Sequence, residues 1–72
     1  REGNMSKGIL TAREREVFEL LILNKSTKEI STYLGISEKT VRNHISNVMQ
    51  KMNVKGRSGA IIELLKLGEI NL

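Results

Sequence analysis

The stretch SEKTVRNHISNVMQKM, residues 37–52, combines an apolar stripe with side chains that form directional hydrogen bonds. Val41, Ile45 and Val48 recur at the 3.6-residue period of an α-helix, so this side is predicted to be buried. The opposite side carries residue types that pair with base edges in DNA, such as Arg with guanine and Asn or Gln with adenine. A solvated face is the alternative, but such faces usually mix Glu with Lys, and no acidic residue follows Glu38 here. The predicted base-contacting residues are Lys39, Arg42, Asn43, Ser46, Asn47 and Gln50.

A second group of residues is suited to phosphate contacts around this polar face. Thr27 and Lys28 begin a predicted helix, whose N-terminal amides and dipole favour an anion. Phosphate contacts would set the register of the protein on a duplex and supply salt-dependent affinity, whereas base contacts would supply specificity. For each lysine taken alone, simple solvation is an equally good interpretation. The predicted backbone-contacting residues are Thr27, Lys28, Thr40, His44, Lys51, Lys55 and Arg57.

Catalysis and metal binding find little support in the sequence. The chain has no Cys, and its single histidine, His44, has no carboxylate at metal-ligand spacing. No Ser-His-Asp or paired-carboxylate arrangement stands out, because Glu14 is better explained as a helix cap and Glu16 and Glu19 as a solvated face. We therefore predict a protein that is not an enzyme and that uses no cofactor, metal or small-molecule ligand.

The length and charge of the chain agree with a small DNA-binding domain. The 72 residues are enough for one domain, and the net charge of +4, from 12 basic and 8 acidic side chains, favours polyanionic partners. No apolar run reaches the roughly 18 residues of a membrane span, and no signal peptide is recognised. We predict no membrane partner and a cytoplasmic location. The sequence opens with Arg1, and Met5 is a candidate for the natural start.

Apolar periodicity and capping signals predict an all-α chain. Residues 1–8 contain little to bury and are predicted to be a flexible lead-in, and residues 9–72 are predicted to form the domain. No segment alternates apolar and polar residues for long enough to indicate a strand. The predicted helices cover residues 12–23, 27–34, 38–52 and 59–67.

The helix boundaries follow from a few capping residues. Thr11 and Ser26 are each followed three residues later by Glu, which is the capping-box pattern. Ser37 and Ser58 are the predicted N-caps of the third and fourth helices. Gly35 supplies a left-handed stop, so a three-residue turn joins the second and third helices. This is the helix-turn-helix arrangement, and a generic four-helix packing unit is its alternative.

The fourth predicted helix is more apolar than one buried face requires. Two apolar stripes run along it, and one is predicted to close the core while the other contacts a second protomer. The alternative is a helix that is wrapped on all sides within a very small core. The residues assigned to the dimer interface are Ala60, Ile61, Leu64, Leu65 and Leu67, with Ile70 and Leu72 as candidates for added area.

Three segments resemble the LuxR-type DNA-binding domain, a family that includes the output domains of FixJ- and NarL-like response regulators. These segments are Leu10–Phe18, Thr27–Ser31 and Ser37–Ile45, and the resemblance covers about residues 9–70. It implies a compact four-helix helix-turn-helix domain of LuxR type with the third helix in the major groove. It also implies a homodimer formed through the last helix, with recognition helices about 34 Å apart on paired half-sites of double-stranded DNA.

The resemblance also implies roles for individual positions. The base-contacting positions of the family fall on Arg42, Asn43 and Ser46 in this chain. One departure is Ser31, where many members of the family have Ala, and a buried hydroxyl there would need a helix carbonyl as its partner. The positions at which the family contacts the DNA backbone or stabilises the recognition helix fall on Thr27, Lys28, His44, Lys55 and Arg57.

Within the family, three segments are most similar to a small free-standing regulator of spore-coat genes. They are Phe18–Leu21, Glu38–Ser46 and Val54–Ser58. This similarity implies a sequence-specific transcriptional regulator of late sporulation genes, associated with the nucleoid in the bacterial cytoplasm.

Three alternatives stay open from the sequence. A truncated output domain of a larger response regulator would have the same features. A sigma-factor-like promoter-reading module shares the opening of the first helix, and it would act through RNA polymerase, a contact that we also leave open for a LuxR-type regulator. A helical protein-interaction domain would use the polar face for a protein partner, and its binding would lack the steep salt dependence of phosphate contacts.

Overall fold

The third of four α-helices is the central element of the fold. A computed structural model describes residues 9–72, and the predicted flexible lead-in, residues 1–8, lies outside the described residues. The helices are α1 (Ala12–Leu21), α2 (Thr27–Leu34), α3 (Glu38–Met52) and α4 (Arg57–Lys66). Helix α3 packs against each of the other three, and residues 9–72 contain no strand. The prediction of an all-α, compact four-helix helix-turn-helix fold is confirmed.

The core is aliphatic apart from one aromatic ring. Phe18 of α1 is fully buried, whereas the other aromatic residue, Tyr33, is 77% exposed. The predicted stripe of α3 points inward, because Val41, Ile45 and Val48 are all buried. Each such side chain contributes about 1.5–3 kcal/mol of gross stabilisation on burial. The complete buried apolar set is Leu10, Val17, Phe18, Ile30, Val41, Ile45, Val48, Ala60, Leu64 and Ile70.

Both predicted capping boxes are present. At the start of α1, the Glu14 amide donates to Thr11 Oγ1 at 3.1 Å, and the Thr11 amide donates to Glu14 Oε1 at 2.9 Å. At the start of α2, Ser26 and Glu29 exchange the same two hydrogen bonds at 3.0 and 2.8 Å. Ser37 caps α3 through its side chain. These bonds satisfy amides that have no partner within their helix, so the starts of α1, α2 and α3 are set locally.

The turn between α2 and α3 has the predicted length and chemistry. Gly35 adopts φ +71°, a left-handed conformation that costs a residue with a side chain more than it costs glycine. The Ile36 amide donates to the Ser31 carbonyl at 3.1 Å, which closes the end of α2 in a Schellman arrangement. The Ser31 hydroxyl donates to the Lys28 carbonyl at 2.8 Å, so this hydroxyl has the helix carbonyl that it was predicted to need.

Two predicted helix boundaries are wrong by about one half-turn. Helix α1 ends at Leu21 and not at residue 23, because the chain turns at Asn24, which adopts φ +66°. Helix α4 begins at Arg57 and not after Ser58. Its N-cap is Gly56, which forms no side-chain capping bond, and Ser58 lies within the first turn. This earlier start lets the Arg57 side chain reach α2, as described below.

The packing of α4 corrects part of the predicted dimer interface. Ala60 and Leu64 are fully buried and Ile70 is 1% exposed, so these three side chains complete the core and are closed to a second protomer. The other assigned residues, Ile61 and Leu65, are half-buried against the core, and Leu67 is exposed just beyond the helix. Of the two predicted stripes, the one containing Ala60 and Leu64 is therefore the buried one.

An ion pair that the sequence analysis did not anticipate ties the C-terminal tail to α1. Arg15 Nη2 lies 3.0 Å from Glu69 Oε1, and Arg15 Nη1 donates to the Glu69 carbonyl. The Glu69 side chain is buried, so the guanidinium supplies the partner that a buried carboxylate requires. Because the two residues are 54 positions apart, no local pattern could have indicated the contact.

Candidate nucleic-acid interface

The six predicted base-contacting residues share the exposed face of α3. All six are exposed, and they lie opposite the buried Val41 and Ile45. They form two rows with the four-residue spacing of neighbouring side chains on a helix surface. The face extends about 16 Å along the axis at 1.5 Å per residue, which corresponds to about five base pairs of stacked DNA. The rows are Lys39–Asn43–Asn47 and Arg42–Ser46–Gln50.

Arg42 has an acidic neighbour at the start of this face. Its Nη1 lies 3.6 Å from Glu38 Oε1, at the i, i+4 spacing of a helical ion pair. The Arg42 side chain is 56% exposed, and surface pairs of this kind contribute little free energy, so the guanidinium can exchange Glu38 for another partner. The four-residue spacing of Glu38 and Arg42 in the sequence is the signal that indicates this pair.

A cationic cluster forms where α2 and α4 both begin. Arg57 Nη2 donates to Thr27 Oγ1 at 3.5 Å, so two of the predicted phosphate-contacting residues are brought together across 30 positions of sequence. Lys28 is exposed in the first turn of α2, and Lys55 is exposed in the loop before α4. The capping box of α2 uses the Glu29 amide but leaves those of Thr27 and Lys28 facing the helix end, where the dipole favours an anion.

Three other predicted backbone-contacting residues lie in different surroundings. The Thr40 hydroxyl accepts a hydrogen bond from Ser37 Oγ at 2.9 Å within the cap of α3. His44 is half-buried on the flank of α3. Lys51 Nζ donates to Glu14 Oε1 at 2.5 Å and to the Ile9 carbonyl at 3.0 Å, so two of its three donor hydrogens are bonded within the protein, and the side chain is 37% exposed.

Glu14 is charged at neutral pH despite its burial. Its side chain is only 4% exposed, and burial by itself raises the pKa of the carboxyl group. The hydrogen bonds from Lys51 and the Thr11 amide, together with electrostatic attraction to Lys51 and His44, outweigh burial and hold the pKa of Glu14 below its ordinary value. Lys51 therefore faces a carboxylate that needs a cationic partner.

Metal binding, membrane insertion and a small-molecule pocket are the other kinds of site considered for residues 9–72. Within residues 9–72, no group of three or more His, Cys, Asp or Glu side chains is arranged to hold a metal ion. In the same part of the chain, none of the helices is both long enough and apolar enough to cross a membrane. A groove of about 280 Å³ between α1 and α2 is lined by Leu20, Leu23, Lys25, Glu29 and Tyr33.

The fold and this face together define a class of protein. A helix-turn-helix whose second helix is amphipathic, with an exposed face that carries Arg, Asn and Ser beside a cationic cluster, is a DNA-binding module. Residues 8–64 match the family model described as bacterial regulatory proteins, luxR family. The chain therefore belongs to the luxR family of bacterial regulatory proteins.

Similar proteins cover nearly the whole chain. The spore germination protein GerE from Bacillus subtilis (strain 168) is 69% identical over 67 residues, which are 93% of this chain and 90% of GerE. A solved structure of the transcription factor GerE has a TM-score of 0.87 and 64% identity, covering 89% of this chain and 96% of that one. The transcriptional regulatory protein DegU from Brevibacillus brevis is 48% identical over 89% of this chain, which spans only 27% of DegU.

These similarities confirm the family and the general function predicted from the sequence. The chain is a DNA-binding transcription regulator of the luxR family, which consists of regulators and not of enzymes. The resemblance to GerE, which the segments at residues 18–21, 38–46 and 54–58 already suggested, is also confirmed. The roles assigned to individual residues on DNA stay predictions.

Proposed function

We propose that this regulator controls genes of late sporulation, including spore-coat genes, and that it binds paired half-sites as a homodimer. The sporulation role is supported by the 69% identity to the spore germination protein GerE over 90% of that protein. Recognition of specific sequences is supported by one observation above all, the exposed polar face of α3 described above. A nucleoid-associated location in the bacterial cytoplasm follows from the same proposal.

Replacement of GerE in its own host tests the sporulation role. A Bacillus subtilis strain that lacks GerE, and that expresses this chain at the normal time, is expected to regain spore coats and germination. The Arg42→Ala variant, expressed at the same level, should fail to restore them because it lacks the only arginine of the reading face, which is the exposed side of α3 formed by Lys39, Arg42, Asn43, Ser46, Asn47 and Gln50. A stable, DNA-binding wild-type chain that leaves the defect unchanged would overturn the sporulation role while leaving DNA recognition intact.

The proposed docking places α3 in the major groove. A helix with its side chains is about 10–12 Å across, and the groove is about 12 Å wide, so the reading face would approach the base edges closely. The cluster of Thr27, Lys28 and Arg57 would then meet a phosphate of the adjoining backbone. Base contacts would discriminate between sequences, whereas the cluster would hold the register.

Lys28→Ala is expected to weaken binding to specific and unrelated duplexes alike. Loss of one phosphate contact should reduce the slope of log affinity against log salt by about 0.9. Fluorescence anisotropy over a series of salt concentrations measures both quantities. Arg13→Ala is the matched control, because it removes one exposed positive charge from α1, where Arg13 pairs with Glu16 at 3.0 Å. A loss at only one duplex sequence would show that Lys28 reads bases.

The proposed dimer surface is an apolar strip on α4 formed by Ile61, Ile62 and Leu65. These three residues occupy neighbouring directions around the helix, on the side that the buried row of Ala60 and Leu64 leaves outside. Ile62 is 54% exposed, which makes it available to a second protomer. It was not among the residues predicted for the dimer interface. Two copies joined through this strip would form a symmetric interface and present two copies of α3 to DNA.

Ile62→Glu is expected to prevent dimer formation without unfolding the protein. A charge at this exposed position would oppose the burial of the apolar strip against a second copy but would leave the core unchanged. Sedimentation should give two protomers on a two-half-site duplex for the wild type, and weaker, non-cooperative loading for the variant. Leu23→Glu is the matched control, since Leu23 is 65% exposed between α1 and α2. One wild-type protomer per duplex at saturation contradicts the dimer.

Selection of bound duplexes from a random pool reveals the half-site and tests the spacing that a dimer requires. A free-standing dimer should select inverted half-sites whose centres are one helical turn, about 34 Å, or a multiple of it apart. A contact of the dimer with RNA polymerase stays a prediction, as does the alternative of an output domain from a longer response regulator.

A further inference from the structure

The Lys51 side chain joins the last turn of the recognition helix to the N-cap of α1. Its Nζ lies 2.5 Å from Glu14 Oε1 and 3.0 Å from the Ile9 carbonyl. The same Glu14 oxygen accepts the Thr11 amide at 2.9 Å. One carboxylate oxygen thus closes the capping box of α1 and holds the end of α3 at the same time.

Burial makes this link difficult to exchange for a contact with DNA. Glu14 is buried within the protein, and a buried carboxylate without a cationic partner is strongly unfavourable. If Lys51 moved to a phosphate, it would gain a contact in a solvated, salt-screened environment, and the buried Glu14 carboxylate would lose its ammonium partner. The lower-energy arrangement on DNA therefore keeps Lys51 on Glu14.

The contact between Lys51 and Glu14 lies next to the reading face of α3, so it can fix the rotation of the helix about its axis. Lys51 lies about 40° around the helix from Asn47, at the boundary between the reading face and the side that faces α1. A 20° rotation of α3 about its axis would move a side-chain tip about 6 Å from that axis by about 2 Å, which is enough to break a hydrogen bond. Such a rotation would also pull Lys51 away from Glu14.

We propose that Lys51 and Glu14 are positioning residues that set the rotation of α3 in the major groove, and that Lys51 contacts no phosphate. The inference rests on the proposed placement of α3 in the groove. It replaces the earlier assignment of Lys51 to the DNA backbone, and it gives Glu14 a function in sequence recognition although Glu14 touches no DNA.

The two roles of Lys51 have opposite consequences for salt dependence. If Lys51 positions α3, Lys51→Met and Glu14→Gln should each lower affinity for the selected duplex by about 5- to 150-fold, as a mismatched base pair would. Both variants should keep the wild-type salt slope and the wild-type affinity for an unrelated duplex. If Lys51 contacts phosphate, Lys51→Met should lower the slope by about 0.9 and weaken both duplexes, whereas Glu14→Gln should free Lys51 and strengthen both.

Arg15→Met is the matched structural control. It breaks the other buried ion pair of α1, the one with Glu69, and leaves α3 without a direct change. Thermal melts of all variants show which of them are folded at the assay temperature. Arg15→Met should lose stability but keep the wild-type ratio of specific to non-specific affinity. If Arg15→Met lowered the ratio of specific to non-specific affinity as much as Lys51→Met does, general destabilisation would explain the loss of specificity. That result would overturn the proposal.

Lys51→Gln keeps the test decisive if Lys51→Met fails to fold. Its amide can still donate to Glu14 but carries no charge for a phosphate. An unchanged salt slope with most of the specificity retained supports the positioning role, and a slope lowered by about 0.9 contradicts it. A wild-type chain that shows no preference for any duplex would defeat the proposed function itself, so the two failures are distinguishable.

Discussion

Arg42→Ala is expected to lower affinity for the selected half-site by about 1–3 kcal/mol, or about 5- to 150-fold, and to relax base preference at one position. Arg42 is the one guanidinium on the reading face of α3, and it can form two parallel hydrogen bonds with a guanine edge. In a homodimer the loss applies at both half-sites, so the expected total is about 2–6 kcal/mol on the full duplex. Competition between selected and single-substituted duplexes measures both effects.

Arg42→Lys separates the loss of charge from the loss of base recognition. Lysine keeps the positive charge but not the planar fork of donors, so the salt slope should stay near wild type while base preference relaxes. The ion pair of Arg42 with Glu38 is exposed, and its loss should change stability little. An Arg42→Ala protein with unchanged affinity and unchanged preference would mean that another surface reads the DNA.

Phe18→Ala is expected to have the largest effect on stability of any single change considered. Truncation of a fully buried Phe typically costs about 3–5 kcal/mol, because apolar contact is lost and a cavity is left. A 72-residue domain has a total free energy of unfolding of about 4–11 kcal/mol, so the variant would be partly or wholly unfolded. Chemical denaturation followed by circular dichroism measures the loss, and the melting temperature should fall by at least about 12 °C.

Tyr33→Ala is the natural control for this variant. Tyr33 is the other aromatic residue of the chain, and its exposure predicts a change within about 0.5 kcal/mol. If Tyr33→Ala destabilised the isolated protein as much as Phe18→Ala, the assignment of the core would be wrong. A comparable effect only in the presence of a partner would instead place Tyr33 in an interface.

The central part of the fold could be predicted from the sequence because its signals are local. Helices α2 and α3 have the predicted bounds, since Ser26, Ser37 and Gly35 determine three of their four ends through bonds to residues only a few positions away. The inward stripe of α3 follows from periodicity alone, and with it the outward direction of the six polar residues. The helix that we propose reads DNA is therefore also the part of the chain in which local and tertiary preferences agree.

The remaining features depend on contacts between distant parts of the chain. The pairs Lys51–Glu14 and Arg15–Glu69 join residues 37 and 54 positions apart, and no periodic pattern indicates such partners. The start of α4 was misjudged because a serine in the right place is a strong cap signal, yet the helix begins at Arg57, which reaches Thr27. Which apolar stripe of α4 is buried also depends on how the helix meets α3, and helix periodicity alone leaves both choices open.

The central location of α3 has a consequence for how such a regulator is switched on and off. The helix that we propose for the major groove also packs against each of the other three helices, so it cannot be withdrawn from DNA without the loss of those contacts. Any movement large enough to withdraw it would dismantle the whole domain. We therefore expect occupancy of target promoters to follow the number of molecules in the cell, or the pairing of those molecules, instead of a change of shape within one of them.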